Sequence, residues 1–130
     1  MNLLFRAELN EGHLYGRVPN ITPAVMGTIQ GMTTQEGYPI NAFLIPSGKF
    51  KRWGMTSFFP IAYYHVYDQG VYEYYLIGID AHNAPPTQML PKYYEKIQKF
   101  FQRNFKIAGE GDGQAVDSLV DSFIDQGGED

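Results

Sequence analysis

The sequence predicts a mainly β, α+β fold of about five antiparallel strands, with one long C-terminal helix and an acidic tail. Three observations carry this expectation. Residues 57–67 and 71–80 are dense runs of Tyr, Phe, Ile and Val on either side of Asp68-Gln69-Gly70, the composition of a long β-hairpin. Residues 91–107 set Ile97, Phe100, Phe101 and Phe105 at helical spacing behind Pro91, a residue suited to the first helical turn. Residues 108–130 hold seven carboxylates and no base.

The remaining elements follow in order. Residues 3–9 read as a first strand, and Asn10-Glu11-Gly12 as a turn into a second strand over 13–18. Thr22 and Pro23 resemble a helix N-cap and first helical position. They predict a short helix over 24–33, weakened by Gly27 and Gly31. Residues 40–45 read as a strand ended by Pro46-Ser47-Gly48, and 49–54 as a basic, aromatic strand or loop. If the hairpin turn is centred on Gln69-Gly70, residues whose numbers sum to 139 face each other. Alternation then puts Phe58, Ala62, Tyr64, Val66, Tyr75, Ile77 and Ile79 on one face, the better core candidate. The other face carries Phe59, Ile61, Tyr63, His65, Tyr67, Tyr72, Tyr74 and Leu76. Ala84-Pro85-Pro86 breaks the chain before the helix. The strands with their interposed helix fit either an OB-type barrel or an open sheet with helices on one face.

A chain of 130 residues fits one domain. The composition divides it into a globular body, 1–107, and a flexible acidic tail, 108–130. The tail begins with a glycine-rich linker over 108–114. Val116, Leu119, Val120, Phe123 and Ile124 then recur at the spacing of a short amphipathic helix. The absence of cysteine excludes disulfides, thiolate zinc sites and cysteine nucleophiles. No apolar run approaches the ~20 residues of a membrane span. Arg6 and Glu8 come too early for a signal peptide, so the expected location is the cytoplasm, the host's if the gene belongs to a phage.

Charge supplies the functional lead. The net charge of −4 conceals all ten Lys and Arg against seven acids in residues 1–107, and the seven unopposed acids beyond. Lys92, Lys96, Lys99, Arg103 and Lys106 recur at spacings of 4, 3, 4 and 3, which forms one stripe on a helix. Lys49, Lys51 and Arg52 lie beside Trp53. Cations that follow a phosphate backbone, together with rings on which bases stack, are what single-stranded nucleic acid requires. Trp53, Tyr63, Tyr67, Tyr72 and Tyr74 are the stacking candidates. The competing reading is a solvated lysine face over an ordinary aromatic core. Asp117, Asp121 and Asp125, with Phe123 and Ile124, form an anionic amphipathic edge suited to a protein partner. The arrangement is similar to the general layout of single-strand binding proteins, although the chain lacks a terminal Phe.

No Walker, GxGxxG, GxSxG or HExxH motif is present. Asp80-Ala81-His82 offers two ligand types without a third. The expectation is therefore a binding protein and not an enzyme, without metal or cofactor, engaging single-stranded nucleic acid and recruiting a protein through its tail. The alternatives are a small inhibitor or adaptor and a homo-oligomeric structural protein. The oligomeric state is left open, with a dimer among the options.

Overall fold

The structure, a computed structural model, describes residues 5–10, 25–45, 53–82 and 87–125. In chain order the elements are β1 (Phe5–Asn10), β2 (Val25–Thr33), β3 (Pro39–Ile45), β4 (Trp53–Asp68), β5 (Val71–Asp80), a 3₁₀ turn (Thr87–Met89), α1 (Leu90–Asn104), β6 (Lys106–Asp112), α2 (Gln114–Asp121) and β7 (Ile124–Asp125). The strand expected over 13–18, the helix start at Thr22 and the Lys49, Lys51 and Arg52 cluster lie outside the described residues.

The seven strands form one mixed sheet in the order β1-β2-β3-β5-β4-β6, with β7 on β2. A further β1–β4 pairing closes five of them into a ring. Strand β3 runs parallel to β5, whereas the other pairings are antiparallel. Strand β4 makes this possible by its length of 16 residues. Its first part pairs with β1 from Trp53 to Phe58, and its second with β6 from Ala62 to Tyr67. Strand β5 occupies the other edge.

The β4–β5 hairpin turns on Gln69 and Gly70, both at positive φ (52° and 89°), as a two-residue type I′ loop demands. Pairing follows the sum of 139 from Asp68↔Val71 back to Ala62↔Ile77. There a bulge inserts Ile61, and Pro60, Phe59 and Phe58 pair with Gly78, Ile79 and Asp80. A bulge sets two residues against one, and proline has no N–H to give the ladder. The faces exchange at that point. Phe58, expected beside Tyr64, instead joins Phe5, Ala7, Ile29, Ile40, Ala42, Leu44 and Leu76. All five ring strands contribute to this cluster, so it fills the ring. Its end is covered by Val116 and Val120 of α2. The opposite face carries Met26, Phe43, Ile45, Ala62, Tyr64, Val66, Tyr75 and Ile77 beneath Ile97, Phe100 and Phe101 of α1. Tyr64 stacks on Phe101 at 4.5 Å and 8°.

Residues 25–33 are a strand and not the expected helix. Thr28, Ile29 and Thr33 are β-branched, and the segment gains ladder partners on both sides, in β1 and β3. Gly31, at φ 76°, falls within the register irregularity between Thr28 and Thr33, where a glycine costs least. Residues 106–112 also depart from expectation, whereas the short amphipathic helix expected beyond them is present as α2. Where composition predicts a linker, Lys106–Asp112 is a strand on β4. At Gly111 a Cβ would stand 2.8 Å from both Ala115 Cβ and Tyr63 Cε1. The glycine is therefore a close-packing device that seats α2. Helix α1 ends at Asn104, so Lys106 belongs to a strand and not to the helical stripe.

Candidate functional site

Beyond the ring, the ring-facing side of the hairpin continues outward and carries a ladder of aromatic groups. Alternation on β4 and β5 places Tyr63, His65, Tyr67, Tyr72 and Tyr74 on this side, with Tyr67↔Tyr72 and His65↔Tyr74 directly opposite. His65 lies flat on Tyr74, with centroids 4.1 Å apart and 4° between planes. His65 also meets Tyr72 at 5.3 Å, and Tyr72 meets Tyr67 edge-on at 4.9 Å. At the inner end Tyr74 contacts Phe123 at 5.9 Å and Tyr63 at 6.3 Å. The inner rings are partly buried, whereas Tyr67 is 38% and Tyr72 56% exposed.

Two further elements reach this ladder. Strand β6 sets Gly109 opposite His65 and the exposed Lys106 opposite Tyr67. Directly opposed residues of an antiparallel pair share a face, so Lys106 brings a positive charge beside the outer rings. The β2–β3 turn contributes Glu36. That turn is held by Gly37 N–H donating to the Thr34 carbonyl (2.9 Å) and Tyr38 N–H donating to Thr34 Oγ1 (3.1 Å). Gln35 Nε2 ties it to the end of α2 by donating to the Ser122 carbonyl, 3.4 Å away.

Burial lowers the His65 pKa below the usual histidine value, with Glu36 opposing the shift. Its imidazole is therefore neutral near pH 7 and keeps a lone pair for a proton. Burial raises the Tyr74 phenol, and neighbouring Tyr63 and Glu36 act in the same direction.

The Asp80-Ala81-His82 segment is a turn. Asp80 is 3% exposed. Its Oδ1 accepts the His82 backbone N–H (2.8 Å), and its Oδ2 accepts the Thr56 hydroxyl (3.3 Å). Among the described residues no three His, Asp or Glu gather as a metal-holding cluster.

Of the described cations expected to share a surface with the tyrosines, Lys106 does so, whereas those of α1 are separated from them. Tyr63, Tyr67, Tyr72 and Tyr74 lie together on the ring-facing side. Lys92, Lys99 and Arg103 are exposed and Lys96 is partly so, on the helix that covers the opposite face. Trp53 opens β4 opposite Asn10. Asp117 and Asp121 lie on α2, Ile124 and Asp125 form β7 on β2, and Phe123 packs against Tyr74. His65 and Glu36 were not among the residues the sequence singled out as a site, yet His65 lies within the ladder and the charge of Glu36 acts on it. The 139 rule already pairs His65 with Tyr74, but nothing local joins Glu36 to them.

The chain matches no protein family and no curated protein in sequence. Its structure is similar to that of the inorganic pyrophosphatase from Thermus thermophilus, with a TM-score of 0.64 at 14% identity, covering 92% of this chain and 88% of that one. It is also similar to the inorganic phosphatase from Anaplasma phagocytophilum (TM-score 0.59, 12% identity, 89% and 81% covered). A third likeness is to the inorganic pyrophosphatase of Helicobacter pylori (TM-score 0.54, 15% identity, 91% and 83% covered). These likenesses overturn the expectation of a single-stranded nucleic-acid-binding protein. The physical reason is that Lys92, Lys96, Lys99 and Arg103 of α1 lie on the face away from the rings, so no continuous cationic track runs beside them among the described residues. They also overturn the expectation of a non-enzymatic binding module, whether inhibitor, adaptor or structural oligomer, because the fold is one that enzymes use. No helix among the described residues is long and apolar enough to cross a membrane. The fold of the chain is thus similar to that of the inorganic pyrophosphatases.

Proposed function

We propose that this chain hydrolyses a phosphoric anhydride at the ring-bearing face of the β4–β5 hairpin. The observation that carries the reading is the near full-length likeness to the Thermus thermophilus inorganic pyrophosphatase. Fold likeness by itself is an analogy, and the chemistry of the face adds a second support. Transfer of a phosphoryl group to water needs an oriented nucleophile and positive charge near the phosphate oxygens. His65, neutral near pH 7, accepts the proton of the attacking water. As the water oxygen bonds to phosphorus, the bridging P–O bond breaks and its electron pair leaves with the departing phosphate. Lys106, opposite Tyr67, lies on the same side and faces the anionic substrate.

The test is phosphate release by the full chain, with excess magnesium, from inorganic pyrophosphate and from adenosine diphosphate. Wild-type protein releases phosphate from at least one of them. His65→Phe, which keeps a ring on Tyr74, loses about 10²–10⁴-fold in rate with an unchanged melting temperature. Release no faster than a protein-free blank from both substrates refutes the reading.

A further inference from the structure

We infer that the anhydride this site takes is esterified to a planar heteroaromatic group, the chemistry of a nucleoside diphosphate. The inference rests on the hydrolase reading above and names its substrate class. Bare pyrophosphate is small, highly charged and has no apolar surface, so it makes no use of exposed ring faces, whatever the tyrosine hydroxyls donate to it. The surface here is the reverse. Five rings, Tyr67, Tyr72, His65, Tyr74 and Phe123, contact one another in sequence from solvent to the end of α2. Their inner members are occupied with each other, because His65 covers the face of Tyr74 at 4.1 Å. The outer members are not saturated. Tyr72 is 56% and Tyr67 38% exposed, although each is held by contact with its neighbour. A tyrosine fixed on a strand offers a large rigid surface at low entropic cost, and every nucleobase has a π-face to lay on it.

Charge complements this arrangement. Lys106 stands opposite Tyr67 on the same face, so a cation for phosphate oxygens and a ring for a base are adjacent. Gly109, opposite His65, adds no side chain between them. A ligand with a ring at one end and a diphosphate at the other fits both features together.

The experiment measures equilibrium binding to the full chain by calorimetry, using ligands that cannot be hydrolysed. The probes are methylenediphosphonate, α,β-methylene adenosine diphosphate and adenosine. The adenosine-bearing diphosphate binds about 5- to 150-fold more tightly than methylenediphosphonate, the equivalent of one stacked base at about 1–3 kcal/mol. Tyr72→Leu, a change at an exposed position, collapses that ratio toward one. Equal binding of the two diphosphates overturns the inference, as does a ratio that survives Tyr72→Leu. Adenosine binding as tightly as its diphosphate also overturns it. The two readings fail separately. Phosphate release without a ring preference removes only the substrate class, whereas a Tyr72-dependent preference without release from any substrate removes only the hydrolysis.

Discussion

Gly78→Ala tests the bulge that re-aims Phe58 into the ring. Gly78 stands opposite Pro60 in the shifted register. A Cβ there would lie 2.2 Å from Phe58 Cδ2, 2.9 Å from Cε2 and 3.0 Å from the Phe59 carbonyl oxygen. Carbon atoms in contact prefer ~3.5–4.0 Å, so the ring has to retreat by more than an ångström. Phe58 is fully buried, with Phe5 at 5.9 Å, and has nowhere open to go. Overpacking of this kind costs about 1–3 kcal/mol. Restricting the unfolded chain by replacing glycine returns about 0.4–1 kcal/mol. The expected net loss is about 1–2 kcal/mol, a fall of roughly 3–10 °C in melting temperature for a domain of this size. Urea and thermal unfolding of the wild type, Gly78→Ala, Phe58→Leu and the double variant measure it. Because leucine shortens the side chain that meets the new methyl, the double variant is more stable than additivity predicts, by at least ~0.5 kcal/mol. A Gly78→Ala chain as stable as wild type, or strict additivity in the cycle, refutes the packing argument.

Two further outcomes are expected. His65 titrates lower in the folded chain than the ordinary 6.5. As pH falls through 6.5, the unfolded state therefore takes up its proton first. This contribution is complete above pH 6.5, is lost on acidification toward the folded value, and levels off below it. Melting temperatures from pH 7.5 to 5 show that decline, and His65→Phe flattens it; an unchanged slope in the variant counts against the assignment. Thr56→Val removes a hydroxyl that donates to the Asp80 carboxylate at 3.3 Å while keeping the side-chain shape. Hydrogen bonds to charged groups contribute about 1.5–3 kcal/mol. Given its length, this one is expected to cost about 1.5 kcal/mol in urea unfolding, and a neutral substitution means that the contact does not stabilise.

How much was legible varied with the kind of information each element uses. Residues 71–80 coincide with β5, and the 139 register holds from the turn to Ala62. Both depend on neighbours in sequence: a Gln-Gly turn that accepts positive φ, and period-2 alternation. The inward residues Ile97, Phe100 and Phe101 of α1 are equally local, because a 3.6-residue period writes them into the chain. Residues 25–33 were misread because Gly27 and Gly31 weaken any local preference and two ladders decide the outcome. The glycines at 109, 111 and 113 looked like linker composition. Gly111 is small because Tyr63 and Ala115 close on it, and Gly113 precedes α2 at φ 52°.

The candidate site shows the same division. Its rings were legible as one face of a hairpin, since alternation alone assigns Tyr63, His65, Tyr67, Tyr72 and Tyr74 to one side. The sequence by itself thus determined a long aromatic hairpin, an amphipathic helix and which ring opposes which. Only the tertiary structure decided that five strands close on themselves, that α1 with its lysines covers the face away from those rings, and that Glu36 and Lys106 join them. The physical reason is that periodicity records which way a side chain points, not which distant segment lies beneath it. That second fact is set by burial and pairing between segments tens of residues apart.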